Sequence, residues 1–337
     1  MKRYRIIWET ALSRARETHL IIEWHTHVYP PEEAAASPLW RGRCPMTVEN
    51  VLAAHREAGL TMSVVSNAAH YLRGKDAKDE LKAIARWSDY AAEIQNTHQG
   101  TLYCLAMAAP CGGPAHLKEL ERAIGELGLK GVLINSSHKG HYPDDDEARG
   151  FWELVQDLDI PVMIHPPHVG FGEERMKEYR LASSVGRPAD LCLALSRLIV
   201  RGILEDFPRA KIVGSHGGGG ICEVIGRLDC ACELQDEAFF LGPYVPIKIK
   251  QPPSHYLKMM HFDSVTYHAP AARLVLDTVG ADHMLYGSDA PPLTSLKPRA
   301  IKLIEDLDLP PRERDAVFWG NAAKLLKLPV AGMEKAA

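Results

Sequence analysis

Short runs of β-branched and apolar residues begin near Leu20, Thr61, Thr101, Lys130, Ile160, Ala210, Phe262 and His283. Between them lie longer stretches with apolar residues at helical spacing, over 48–58, 81–95, 115–127, 148–158, 191–204 and 271–279. Strands that alternate with helices pair in parallel, and eight such repeats closing on themselves make a (β/α)8 TIM barrel the economical α/β architecture. The pattern predicts a single barrel domain over 1–337, with residues 1–19 preceding it as an extension that suggests a surface helix. Two intervals exceed a plain loop: the one after His165, rich in Pro, Gly and charge, and 241–256, with four prolines. Long connections at strand C-terminal ends are where substrate is usually held.

Composition removes several function classes. With 46% hydrophobic and 24% charged residues in 337, the chain has material for a large core and no disorder signature. A net charge of -4, with Lys and Arg dispersed, gives no nucleic-acid footprint. No apolar run approaches the roughly 18 residues of a membrane span, and Met1-Lys2-Arg3-Tyr4-Arg5 is not followed by a signal-peptide core, so a cytoplasmic protein is expected. Seven cysteines without CxxC spacing argue against a disulfide framework or a zinc knuckle. Cys230 and Cys232 fall within a helical pattern and read as buried free thiols.

Chemistry enters where the strands end. Glu23-Trp24-His25-Thr26-His27 closes the first apolar run, and residues two apart on a strand share a face, so His25 and His27 can grip one cation while Trp24 turns outward to pack against helices. His165 ends the fifth strand and Asp289 follows the eighth. At a barrel mouth these four would meet, and three imidazoles with one carboxylate suit a divalent metal, Zn2+ first, with Mn2+ or Fe2+ as alternatives. His216, followed by four glycines that let backbone approach a ligand, reads as an acid/base group, a fifth ligand or an orienting hydrogen bond.

The chain resembles the amidohydrolase superfamily, in particular its branch of aminocarboxymuconate-semialdehyde decarboxylase and related non-oxidative decarboxylases. The resemblance rests on Glu-Trp-His-Thr-His (23–27), Ile-His-Pro (164–166), the stretch from Arg175 through Gly186 and Pro188 to Phe207-Pro208, Ser-His-Gly-Gly-Gly (215–219), Tyr-Gly-Ser-Asp-Ala-Pro (286–291) and Gly-Asn-Ala-Ala-Lys-Leu-Leu (320–326). It implies metal ligands His25, His27, His165 and Asp289, a catalytic His216, and a homodimer. The fourth strand, Gly131 to Ser136, lacks the lysine of binuclear members, so one metal is expected, and Lys139 reads as a surface residue. Where these decarboxylases place a substrate arginine from the adjoining subunit, Gln235 stands here, and Arg41 or Arg43 takes the other arginine's place. His168 and His268 are further candidates to line the pocket. The expected reaction is metal-dependent decarboxylation of a small aromatic or unsaturated carboxylic acid, with Asp289 or His216 handling the proton. Hydrolysis of a C–C, amide or lactone bond, or hydration of an unsaturated acid, would use the same parts.

Overall fold

The computed structural model describes residues 20–36, 44–67, 76–168, 170–237, 245, 247, 249–292 and 296–328. Nine short parallel strands run through the described residues: β1 (Ile22–His27), β2 (Met62–Ser66), β3 (Leu102–Cys104), β4 (Ala106–Met107), β5 (Val132–Asn135), β6 (Pro161–His165), β7 (Lys211–Gly214), β8 (His261–Asp263) and β9 (Met284–Leu285). Except for the first residue of β7 and of β8, their residues are buried, as strands covered by helices on one face and by each other on the other must be. β3 and β4 are two halves of one expected strand, parted at Leu105, whose N–H turns to Val65 O at 2.9 Å. The ladder therefore runs as β1-β2-β3 and β4-β5-β6-β7-β8-β9. The outer strands meet where Trp24 N donates to Tyr286 O at 2.8 Å and Asp289 N to His25 O at 3.0 Å. The architecture is α/β with parallel strands, consistent with a (β/α)8 barrel.

Helices form where capping and apolar spacing coincide. Thr47 accepts from Asn50 N at the start of Val48–Glu57, and Asp76 accepts from Asp79 N at the start of Ala77–Thr97, extending that helix beyond the expected 81–95. Pro114, Pro188 and Pro270 sit in first turns, where a missing N–H costs nothing. The expected helix over 191–204 begins earlier and is divided, into Arg187–Val200 and Ile203–Asp206, because Gly202 takes φ 77° between them. Trp24 is buried in the apolar core, as its outward alternation predicted. Cys230 and Cys232 are free but not buried: the first is exposed and the second intermediate. Of the helix Ile221–Glu233 only Ile221 and Cys222 are buried, so its later turns stand away from the core.

A polar cluster fills the seam between first and last strands. Glu23 and Lys297 are both fully buried and paired, and Lys297 Nζ also donates to Thr26 Oγ1 at 3.0 Å. Ser63 Oγ donates to Glu23 Oε2 at 3.1 Å, Ser288 Oγ to Glu23 Oε1, and Thr26 Oγ1 lies 2.9 Å from Glu23 Oε2. A buried carboxylate so surrounded keeps its charge compensated.

Candidate metal centre

β1 carries a register shift between Glu23 and Thr26, an extra residue relative to its pairing with β2. The bulge nevertheless leaves His25 Nε2 and His27 Nε2 facing each other at 3.1 Å. His165 ends β6, opposite Asn135 of β5, and Asp289 lies beyond β9 with φ 58°. Asp289 Oδ1 stands 3.5 Å from His25 Nε2 and 3.2 Å from His27 Nε2. One donor atom from each of His25, His27, His165 and Asp289 lies within 4.8 Å of the others.

The hydrogen bonds behind these groups define which lone pairs face inward. Asp263 Oδ2 sits 2.6 Å from His25 Nδ1, and both residues are fully buried, so the proton of His25 belongs on Nδ1 and its lone pair on Nε2. Ser66 Oγ donates to Thr26 O at 3.3 Å and therefore accepts from His27 Nδ1 at 3.1 Å, again leaving Nε2 as lone pair. Two lone pairs at 3.1 Å repel unless a cation lies between them. The donor set thus fits a single divalent metal ion, with orienting partners of the kind metal-binding histidines require.

Charge follows the same logic. Burial opposes the proton on His25, but Asp263, together with Asp289 and Glu23, outweighs it and the net shift is upward. Burial pushes His27 down, and pushes His165 well below the ordinary histidine range. Burial would raise Asp289, yet the imidazoles of His25, His27 and His216 overcome it and hold the carboxyl below the usual carboxylate range. His216 is pushed down to about 4 by burial, so it is neutral near pH 7. Its ring centre lies 5.0 Å from that of His25 and 5.3 Å from that of His165, beside the donor set.

The glycines after His216 serve packing within the protein as well as the cavity beside the donor set, which Gly217, Gly219 and Gly220 line. A Cβ on Gly217 would lie 2.6 Å from Thr266 Cγ2, on Gly218 2.6 Å from Ile221 Cγ2, and on Gly219 2.2 Å from Pro188 O. All three hold positive φ, so the run both bends and admits the first turn of the helix Arg187–Val200 against the site.

A cavity of about 720 Å³ opens over the donor set, lined by His27, His165, His216 and Asp289 and also by His168, Arg187, Arg180 and Tyr267. His168, expected here, accepts from Arg187 Nη2 at 3.0 Å. His268 is exposed at the N-cap of Ala269–Val279 and does not line this cavity; the preceding Tyr267 does, its hydroxyl 3.5 Å from Asp289 Oδ2. Arg41 and Arg43 lie outside the described residues. Gln235 Oε1 accepts from Ile247 N at 3.1 Å, and Lys139 is 48% exposed on its side chain and pairs with Glu80. A second group, Cys111, His141 and Asp145, also gathers within 4.8 Å, but burial pushes the Cys111 thiol up to about 11 and Asp145 already binds His141 and Arg197. Asp263 and Ser66 escaped the sequence reading although both end strands, the same signal that marked His165. Arg187 and Tyr267 carry no periodic signal.

Comparison with known proteins agrees with this geometry. The amidohydrolase family profile matches residues 22–328. The 2-amino-3-carboxymuconate-6-semialdehyde decarboxylase of Dictyostelium discoideum is 31% identical over 253 residues, covering 74% of this chain and 68% of that one. The 2-keto-4-carboxy-3-hexenedioate hydratase of Sphingobium sp. is 27% identical over 227 residues, covering 62% and 60%. The crystal structure of 5-carboxyvanillate decarboxylase from Novosphingobium aromaticivorans, complexed with manganese and 4-hydroxy-3-methoxy-5-nitrobenzoic acid, superposes with a TM-score of 0.81 at 20% identity, covering 93% of this chain and 97% of that one. With its donor set, its parallel α/β frame and this match along nearly the whole described barrel, the chain belongs to the amidohydrolase family.

Proposed function

We propose that the protein is a metal-dependent, non-oxidative decarboxylase of an aromatic or unsaturated carboxylic acid. The observation that carries this reading is one cavity lined by His27, His165 and Asp289 of the three-histidine, one-carboxylate donor set, by the neutral His216 and by Arg187. A divalent ion held by His25, His27, His165 and Asp289 would polarise a substrate oxygen as a Lewis acid. The donor set suits Zn2+, and the manganese in the solved relative makes Mn2+ the second ion to test. His216 accepts a proton from the substrate or solvent and, as imidazolium, returns it to the carbon that carried the carboxylate; the C–C bonding pair stays on that carbon and CO2 leaves. Asp289, held as an anion among imidazoles, is the poorer proton donor.

A second reading, hydration of an unsaturated acid, is favoured by the Sphingobium relative. The test is metal analysis of wild type and the His165→Ala and Asp289→Ala variants, with circular dichroism to follow folding, then a screen of aromatic and unsaturated acids. About one equivalent of metal, lost in the variants, with CO2 release and no solvent 18O in the product supports decarboxylation. Solvent 18O in the product without CO2 supports the hydratase; a wild type that takes up no metal overturns both.

A further inference from the structure

We propose that the protein carries a second small-molecule site, a pocket apart from the metal-centre cavity that takes a neutral, single-ring hydroxyl compound such as a phenol, held by Asn135. The inference does not rest on the decarboxylase reading above.

The pocket, of about 240 Å³, lies where the chain leaves β4 and β5 and enters the helix Ala77–Thr97. Among the described residues none lines both it and the metal-centre cavity. Its walls are fixed by the protein itself. His138 and His141 exchange backbone hydrogen bonds at 2.9 Å across a two-residue turn whose central residues, Lys139 and Gly140, hold φ 52° and 84°, the left-handed geometry of a tight hairpin. The buried carboxylate of Glu80 docks this hairpin on the helix, accepting from His138 Nε2 at 3.0 Å and from Lys139 Nζ at 2.5 Å. The third wall, Pro110 to Gly112, is anchored at Gly112: its carbonyl accepts from His116 Nδ1 at 2.8 Å, and a Cβ there would lie 2.4 Å from the His116 ring.

One group in this pocket is left over. Asn135 ends β5, lines the pocket and is only 6% exposed, and its Oδ1 is buried without a hydrogen-bond partner. A buried acceptor in that state is costly, and a ligand that brings it a donor recovers the cost. The rest of the lining selects against charge. Lys139 already meets Glu80, so a cation would face its ammonium, while an anion would face Glu80 and Glu147. Burial holds the His138 imidazole below the ordinary histidine range, and the Cys111 thiol, pushed up to about 11 by burial, stays protonated. Ala77, Ala109, Pro110, Pro143 and Tyr142 add apolar surface. Water would serve Oδ1 but not that surface, and the volume exceeds one water several times over. A ring bearing one hydroxyl serves both, its O–H donating to Asn135 Oδ1 and its carbons lying against the apolar walls.

The experiment uses the full chain as purified, as wild type, Asn135→Leu, Ala77→Phe and Asp289→Ala, each checked for fold by circular dichroism. Crystals soaked in 4-bromophenol locate the ligand by the anomalous signal of bromine, and calorimetry with phenol and anisole measures affinity in solution. Bromine is expected in the pocket beside Asn135. Phenol should bind wild type about tenfold more tightly than anisole, which has no proton to give, and Asn135→Leu should erase that advantage. Ala77→Phe, placed on the exposed rim, should fill the pocket and abolish phenol binding, whereas Asp289→Ala, in the other cavity, should leave it unchanged. Where Asn135→Leu fails to fold, the Ala77→Phe and Asp289→Ala pair decides. Bromine in the metal-centre cavity alone, equal affinity for phenol and anisole, an advantage that survives Asn135→Leu, phenol binding untouched by Ala77→Phe or lost in Asp289→Ala, or binding at crystal concentration only, each overturns the assignment. No arm measures turnover, so failure of the decarboxylase reading leaves these outcomes as they are.

Discussion

Replacing Asp263 by Asn tests the centre through a residue that offers no ligand itself. Asp263 uses both oxygens: Oδ2 receives the His25 Nδ1 proton at 2.6 Å, while Oδ1 accepts from Gly217 N at 3.2 Å and Val265 N at 3.1 Å. An amide can satisfy only one side. If its oxygen stays on the two backbone N–H groups, its NH2 meets His25 Nδ1 and drives the imidazole proton to Nε2, covering the lone pair that faces His27. If it flips, NH2 meets two N–H donors in a fully buried site. Loss of an orienting partner of this kind costs about 10- to 100-fold in metal affinity, and the tautomer reversal places Asp263→Asn at the upper end, about 100-fold. That corresponds to about 2.7 kcal/mol. The assay is Zn2+ affinity by competition with a chromogenic chelator, with the metal-free thermal midpoint measured in parallel to separate folding from binding. An Asp263→Asn affinity within about threefold of wild type would refute the tautomer argument.

Three further outcomes follow from packing and charge. Gly219→Ala, strained by its positive φ and by Pro188 O at 2.2 Å, should lose about 2–4 kcal/mol in urea unfolding, while Gly226→Ala, with nothing within 4 Å, should lose none; a Gly219→Ala loss below about 1 kcal/mol would contradict the close approach. Lys297→Met strands the buried Glu23 and should cost about 3–5 kcal/mol, with Glu23→Gln/Lys297→Met recovering part of it; a double variant no better than the single would sink the pairing. His261 is pushed down to about 3, by burial first and then by His283, so below pH 6.5 the unfolded chain binds a proton that the folded chain refuses. Stability then falls as pH drops through that window, by about 2 kcal/mol from this group between pH 6.5 and 5. Urea titrations of His261→Gln should lack that increment; an unchanged pH slope argues against it.

Strand order and the four candidate ligands were legible because each rests on a local signal: a β-branched run, then a polar residue where the run stops. The partners of those ligands were not. Asp263 is 238 positions from His25, and nothing in the spacing joins them. Lys297 looks like any charge on an outer helix, and only burial shows that it reaches Glu23. The bulge in β1 has no signature in Glu-Trp-His-Thr-His, and the four glycines announced close approach without saying to what. Local patterns carry element type and the chemistry at strand ends, whereas pairings between distant segments exist only once the chain is closed.

The Glu23–Lys297 pair joins residues 274 positions apart, and it makes the strand that carries Glu23 wait for a helix synthesised much later. A growing chain that has not yet extended past residue 297 holds Glu23 on its first strand with no cation to meet it, so the first strand has an electrostatic reason to stay solvated until the last helices arrive. Docking those helices then satisfies Glu23 and Thr26 together with Ser288, the residue next to Asp289, in one step. Assembly of the mouth is thereby deferred until residue 297 has been synthesised, and an isolated fragment ending before residue 297 should be unable to complete the first strand unless the missing segment is supplied in trans.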